Sequence, residues 1–168
     1  VTFYVLSLLS KASGMTLPLV LVVLDVYPLR RLKGGLGRWI DAGARRVWLE
    51  KLPFFVAAAA AGAVALTAQQ SAGALVSTET HDLGGRIAQS LYGAVFYLVK
   101  TLLPTHLSPL YEIPVDADLL HPRFILAAVI CLLLSVGFFT VRHRWPAGLA
   151  CWIVYLLLLM PVSGIAQS

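Results

Sequence analysis

The chain has 168 residues, 59% of them apolar and only 12% charged, with a formal net charge of +5. A soluble domain holds about 45–50% apolar and about 25% charged residues, so this chain has too little charge to cover its apolar surface in water. That argues against a soluble enzyme, a disordered tail or a nucleic-acid module, and it points to an all-α, polytopic integral membrane protein whose basic residues gather in cytoplasmic loops.

Residues 1–24 are apolar apart from an interruption at Lys11, Ala12, Ser13 and Gly14, with Pro18 beyond it. One tilted helix of about 20 residues would suffice to span, but it would hold Lys11 inside the membrane at a cost of about 2.5–3.5 kcal/mol. Gly14 and Pro18 favour the alternative, a break over residues 11–16 with a second helix returning over residues 17–27.

A basic stretch follows, with Arg30, Arg31, Lys33, Arg38, Arg45, Arg46 and Lys51 against Asp41 and Glu50. Leu36, Trp39, Ile40, Val47 and Trp48 recur within it at helical spacing, which predicts an amphipathic helix in the headgroup region. Residues 52–68 form an alanine-rich span suited to close helix packing, and residues 69–83 a polar loop.

Residues 84–103 form a further helix that ends at Pro104. One of its stripes is Ile87, Leu91, Val95, Leu98 and Leu102; another is Arg86, Ser90, Gly93, Tyr97 and Lys100. A proline-rich loop leads to two spans, residues 124–141 and 147–162, joined by the basic turn Arg142, His143, Arg144. The expected architecture is four or five spanning helices plus two interfacial ones.

Charge sets the expected orientation. Residues 30–51 carry seven Lys/Arg and residues 142–144 two more, whereas residues 71–121 carry two against five acids. The positive-inside rule puts Arg30 to Lys51 and Arg142 to Arg144 in the cytoplasm, and residues 71–121 on the other side. An even number of crossings must then separate residues 52–68 from residues 124–141. The element at 84–103 is accordingly expected to lie in the outer interface or to dip in and out.

No soluble-enzyme motif is present: neither a phosphate-binding glycine loop, nor a nucleophile elbow, nor paired histidines at metal spacing. His81-Asp82 reads as a solvated loop pair. His106, Glu112, Asp116, Asp118 and His121 share a loop but match no metal-binding spacing, so no metal or cofactor is expected. Cys131 and Cys151 sit in apolar runs and read as thiols that pack like small hydrophobes. The informative groups are cations at membrane depth. Lys11 is a candidate ligand for an anionic group or a snorkelling side chain. Arg86, Tyr97 and Lys100 form a stripe able to meet a lipid-linked phosphate or to act as an interfacial anchor.

Several segments resemble the membrane module of the transmembrane-and-tetratricopeptide-repeat protein O-mannosyltransferases, a C-type glycosyltransferase group. They are Leu9-Ser10-Lys11, Leu17-Pro18, Leu24-Asp25-Val26-Tyr27-Pro28-Leu29, Glu50-Lys51-Leu52-Pro53-Phe54-Phe55, Tyr97 with Lys100-Thr101-Leu102-Leu103-Pro104, Leu107 and Tyr111, and Leu159-Met160-Pro161-Val162-Ser163-Gly164-Ile165-Ala166-Gln167. Each is short, and the ordered set covers nearly the whole chain.

The resemblance implies transfer of a sugar, usually mannose, from a polyprenyl-phosphate donor to a protein hydroxyl on the non-cytoplasmic face. The donor would be a substrate and no cofactor is implied; the partners would be membrane lipid, the lipid-linked sugar and a protein acceptor. A carboxylate would deprotonate the acceptor and cations would stabilise the leaving phosphate. Lys11, Arg86, Tyr97 and Lys100 would line the donor site.

The family's catalytic acid belongs to a first outer loop, and its repeats follow the module. Neither has a counterpart in these residues, and Ala12 stands where many relatives carry Pro or Glu. Residues 1–168 therefore read as part of one multi-span module, an excerpt without a catalytic residue and inactive by itself, and its alanine and arginine content reads as that of a bacterial inner-membrane protein. A non-enzymatic scaffold or a transporter subunit is the alternative. The uncharged runs 52–68, 124–141 and 147–162 speak against a transport path.

Overall fold

The computed structural model describes residues 1–32, 39, 41–71, 83–105 and 121–161, without the side chains of Ala12, Ser13, Ala42, Gln69, Gln70, Leu83 and Arg86. Its helices are α1 (Thr2–Ser10), α2 (Leu17–Val26), α3 (Ala42–Ser71), α4 (Leu83–Leu102), α5 (Pro122–Val141) and α6 (Pro146–Leu159), with a 3-10 turn over Ala12–Thr16 between α1 and α2. The fold is all-helical, with no strand among the described residues.

The first apolar run is broken where Lys11, Gly14 and Pro18 predict. Lys11 is extended (φ −153°, ψ 123°) and ends α1. Pro18 sits in the first turn of α2, where its missing N–H costs nothing. The Tyr4 hydroxyl donates to the Gly14 carbonyl at 3.1 Å, tying the turn back to α1.

α3 rises beside this hairpin. The rings of Tyr4 and Phe54 lie 5.4 Å apart, and the Met15 sulfur lies 3.4 Å from where a Cβ at Gly62 would sit. α1 therefore runs along α3 in the same direction, and α2 returns antiparallel to it. The expected interfacial helix and the span after it are not separate elements, because residues 42–71 form one continuous helix that carries Pro53 in its interior. A proline removes a single intrahelical hydrogen bond, and the helix continues through it.

α4, α5 and α6 form a second group around Ala94, Cys131 and Trp152. α5 and α6 are antiparallel: the Trp152 indole donates to Ser135 Oγ at 3.1 Å, and the Phe138 ring lies 5.9 Å from those of Trp145 and Trp152. α4 runs parallel to α5. Tyr92 stacks edge-on against Phe124 at 5.5 Å, the Cys131 thiol faces the Leu91 carbonyl at 3.9 Å, and Leu98 packs in the same cluster as Phe138. α4 thus lies lengthwise on α5 instead of across one face of the bundle. α2 and α6 touch and join the two groups.

Two stretches, Gly43–Ala68 of α3 and Pro122–Val141, are long and apolar enough to cross a membrane. The expected span at 147–162 corresponds to α6, whose 14 residues extend only about 21 Å.

Candidate functional site

The chain end of α2 does two things at once. On the side facing α3 it carries Asp25, and on the side facing α6 it presents Val23, Leu24, Tyr27 and Pro28.

Asp25 is 1% exposed and Lys51, at the start of the apolar part of α3, is 5% exposed. The Lys51 ammonium makes an ion pair with Asp25 Oδ2. Arg31 bridges outward, with one guanidinium nitrogen 3.4 Å from Asp25 Oδ1 and another 2.5 Å from Glu50. Arg46 meets Glu50 from the preceding turn of α3 at 3.6 Å. The network grades from a buried pair to a solvated one. The hydrogen bond from Arg31 to Glu50, with both acids nearby, holds the Arg31 guanidinium above its already high ordinary pKa.

The backbone locks the same corner. The Asp25 carbonyl accepts from the N–H groups of Arg31 at 2.7 Å and Leu32 at 3.2 Å. The peptide bond between Tyr27 and Pro28 is cis, and Arg30 adopts φ 52°, the left-handed conformation that closes the loop. Leu32 is thereby seated against Ala44 and Val47 of α3, with Val22 and Trp39 beside it.

On the other side, Val23, Leu24, Tyr27 and Pro28 form a groove with Ala147, Ala150, Cys151, Val154, Tyr155 and Leu158 of α6. Its volume is about 410 Å³ and its walls are almost wholly apolar. The groove suits a flexible hydrocarbon chain and provides nothing to bind a small polar substrate.

The residues singled out in the sequence do not converge. Lys11 is exposed beside the 3-10 turn. Tyr97 is exposed. Lys100 donates to the Thr105 carbonyl at 2.7 Å and lies over the Phe96 ring, 5.8 Å from its centroid. Arg86 starts α4 and its side chain is not described. Arg86 and Lys100 stand 14 residues apart on one helix, about 21 Å along its axis, with Lys100 toward the α5–α6 turn. They cannot act together on one phosphate.

His81, Asp82, His106, Glu112, Asp116 and Asp118 lie outside the described residues. His121 caps α5 by accepting from Arg123 N–H at 3.4 Å. Cys131 is buried and Cys151 exposed, both as free thiols.

Sequence reasoning missed the Asp25–Lys51 pair. The signal was an acid at the end of one apolar helix and a lysine at the start of the next apolar run.

Comparison with family models, curated proteins and solved structures finds no match for this chain.

Proposed function

We propose that the chain is the membrane module, with four or five crossings, of a glycosyltransferase that moves a sugar from a polyprenyl-phosphate donor to a protein hydroxyl. The sugar is mannose by the resemblance. Residues 30–51 and 142–144 face the cytoplasm of a bacterial cell, and transfer takes place on the opposite face of its inner membrane.

One observation carries the reading. Two segments on which the resemblance rests, Leu24 to Leu29 and Glu50 to Phe55, meet through the Asp25–Lys51 ion pair. The α2–α6 groove beside this junction offers an isoprenoid segment an apolar bed, and exposed Lys11 provides a cation for a phosphate. The base that deprotonates the acceptor belongs to a part of the enzyme outside these residues.

The membrane reading rests on what the helices leave uncovered. Leu126, Leu132, Leu133, Val136 and Phe139 of α5, and Leu52, Val56, Val64 and Leu66 of α3, are all exposed. At about 25 cal/mol per Å² of apolar surface, such faces are costly in water and at home in lipid.

The test uses the full chain in liposomes with a polyprenyl-phosphate mannose whose isoprenoid carries a photoreactive group. Labelling of α2 and α6 peptides should be displaced by unlabelled donor and not by phosphatidylcholine. Equal displacement by both lipids refutes the reading.

A further inference from the structure

A second cavity adjoins the groove along α6, and Ala147, Cys151 and Tyr155 line both. It holds about 290 Å³ and is lined by Leu98 of α4, Phe138 of α5, and Trp145, Gly148, Trp152 and Tyr155 around α6. Half of its lining residues are aromatic, and its exposed lining is almost wholly apolar. Trp145 is 57% exposed, and its ring lies on Gly148 so closely that a Cβ there would stand 2.7 Å from ring carbon Cε3. Only glycine leaves room for the indole in this position, so the opening keeps a fixed aromatic edge.

That edge adjoins the basic turn. Arg144 N–H and Trp145 N–H both bond to the Val141 carbonyl, at 2.9 and 2.8 Å, so the turn is tight. Arg142 is held by a hydrogen bond of 3.0 Å to the Phe139 carbonyl and by stacking 4.0 Å from the Phe139 ring. Arg144 and His143 are exposed. Lys100 stands at the same end of α4. The combination is an apolar, ring-bearing cleft, an amphipathic indole at its opening, and two arginines in the turn that leads into that indole.

We propose that this cleft binds an anionic glycerophospholipid of the surrounding bilayer, with one acyl chain along Leu98, Phe138 and Trp152 and the phosphate at Arg142 and Arg144. Charge and shape select this occupant together. A zwitterionic lipid carries an ammonium that offsets its phosphate and so gains less from the arginines, and a soluble anion gains nothing from the rings. Arginine suits the role because its planar fork meets phosphate oxygens in pairs. The site rests on the membrane reading above and adjoins the groove proposed for the sugar donor, with which it shares Ala147, Cys151 and Tyr155.

The test is quenching of Trp145 by lipids brominated on the acyl chain, with the full chain in nanodiscs and Trp145→Phe isolating the Trp145 signal. Brominated phosphatidylglycerol should quench in a saturable way and more strongly than brominated phosphatidylcholine. Removing two interfacial cations in Arg142→Gln/Arg144→Gln should lower that preference by roughly tenfold or more, and Arg142→Lys/Arg144→Lys should keep most of it. Equal quenching by the two headgroups in the unaltered chain overturns the proposal, even if the glutamine variant fails to fold. Reversal by polyprenyl phosphate in preference to unlabelled phosphatidylglycerol also overturns it, since the cleft would then belong to the sugar donor.

Discussion

The ammonium of Lys51 in α3 closes on the carboxylate of Asp25 at the end of α2, and almost no solvent reaches either group. The pair fixes the hairpin of α1 and α2 against the long helix. Through the same residue, Asp25, it also fixes the backbone that presents Tyr27 and Pro28 to the α2–α6 groove. A buried ion pair is weak evidence of net stability, because desolvation offsets much of the attraction. Breaking it is another matter, because one charge is left stranded.

Asp25→Leu and Lys51→Met should therefore each destabilise strongly, by about 3–5 kcal/mol. The double variant should recover much of that loss. Thermal or denaturant unfolding of all four proteins in one detergent closes the cycle. Additive losses would show that the two side chains do not act as a pair.

Arg31 sits at the solvated edge of the same network, so Arg31→Gln should cost clearly less than Lys51→Met, and added salt should shrink its effect. The Arg31 pKa is raised in the fold, chiefly by the hydrogen bond to Glu50. A raised pKa stabilises below the unfolded value and is lost only as pH climbs past the folded one. For a guanidinium that window lies in strong alkali. A pH titration of unfolding should show no slope from Arg31 near neutrality; an Arg31-dependent slope there would contradict the assignment.

The broken first helix was legible because Lys11, Gly14 and Pro18 each act locally on the backbone. The amphipathic character of residues 84–103 was legible for the same reason: Leu91, Val95 and Leu98 do face the α5–α6 core. What such signals lack is direction and partnership. Periodicity marks an apolar face but does not say whether α4 crosses the bundle or lies along α5, and that decides which end of α5 Lys100 stands beside. The joining of residues 42–51 to the following span was hidden by a change in composition at Leu52, which alters the helix's surroundings and not its backbone. Asp25 and Lys51 could be recognised as a pair only once the hairpin had brought their helices together.

Thr16 gives a prediction of opposite sign. Its side chain is buried, and its hydroxyl oxygen has no hydrogen-bond partner among the described residues. An unsatisfied buried hydroxyl costs about 1–3 kcal/mol. Thr16→Val keeps the β-branched shape and removes the polar atom, so it should raise the unfolding midpoint. A lowered midpoint would mean that the hydroxyl has a partner.

Tyr155 ties α6 to α4 through a hydrogen bond of 2.6 Å from its hydroxyl to the Ala94 carbonyl. Tyr155→Phe keeps the ring stacked on Trp152, 5.5 Å away, and removes only that bond. The expected loss is about 0.5–1.5 kcal/mol, read as a shift in unfolding midpoint with the helix content unchanged. A larger loss accompanied by altered near-ultraviolet circular dichroism would mean that the hydroxyl organises the aromatic cluster as well.

The parallel course of α4 and α5 decides which groups share one end of the helix pair. Leu91 meets Cys131, and Leu98 lines one cavity with Phe138 and Trp145, so Lys100 stands at the end of α5 that carries Arg142 and Arg144, and Arg86 at the other end. An element lying in the outer interface would instead put Arg86 and Lys100 on one face, opposite Arg144. The two arrangements differ in a measurable way. Single cysteines at Arg86, Lys100 and Arg144, in a background lacking Cys131 and Cys151, are treated with an impermeant thiol reagent before and after permeabilisation. Lys100→Cys and Arg144→Cys should behave alike, and Arg86→Cys should differ from both. If Lys100→Cys instead follows Arg86→Cys, α4 does not run along α5 in the membrane, and the anionic-lipid cleft loses Leu98 from its wall.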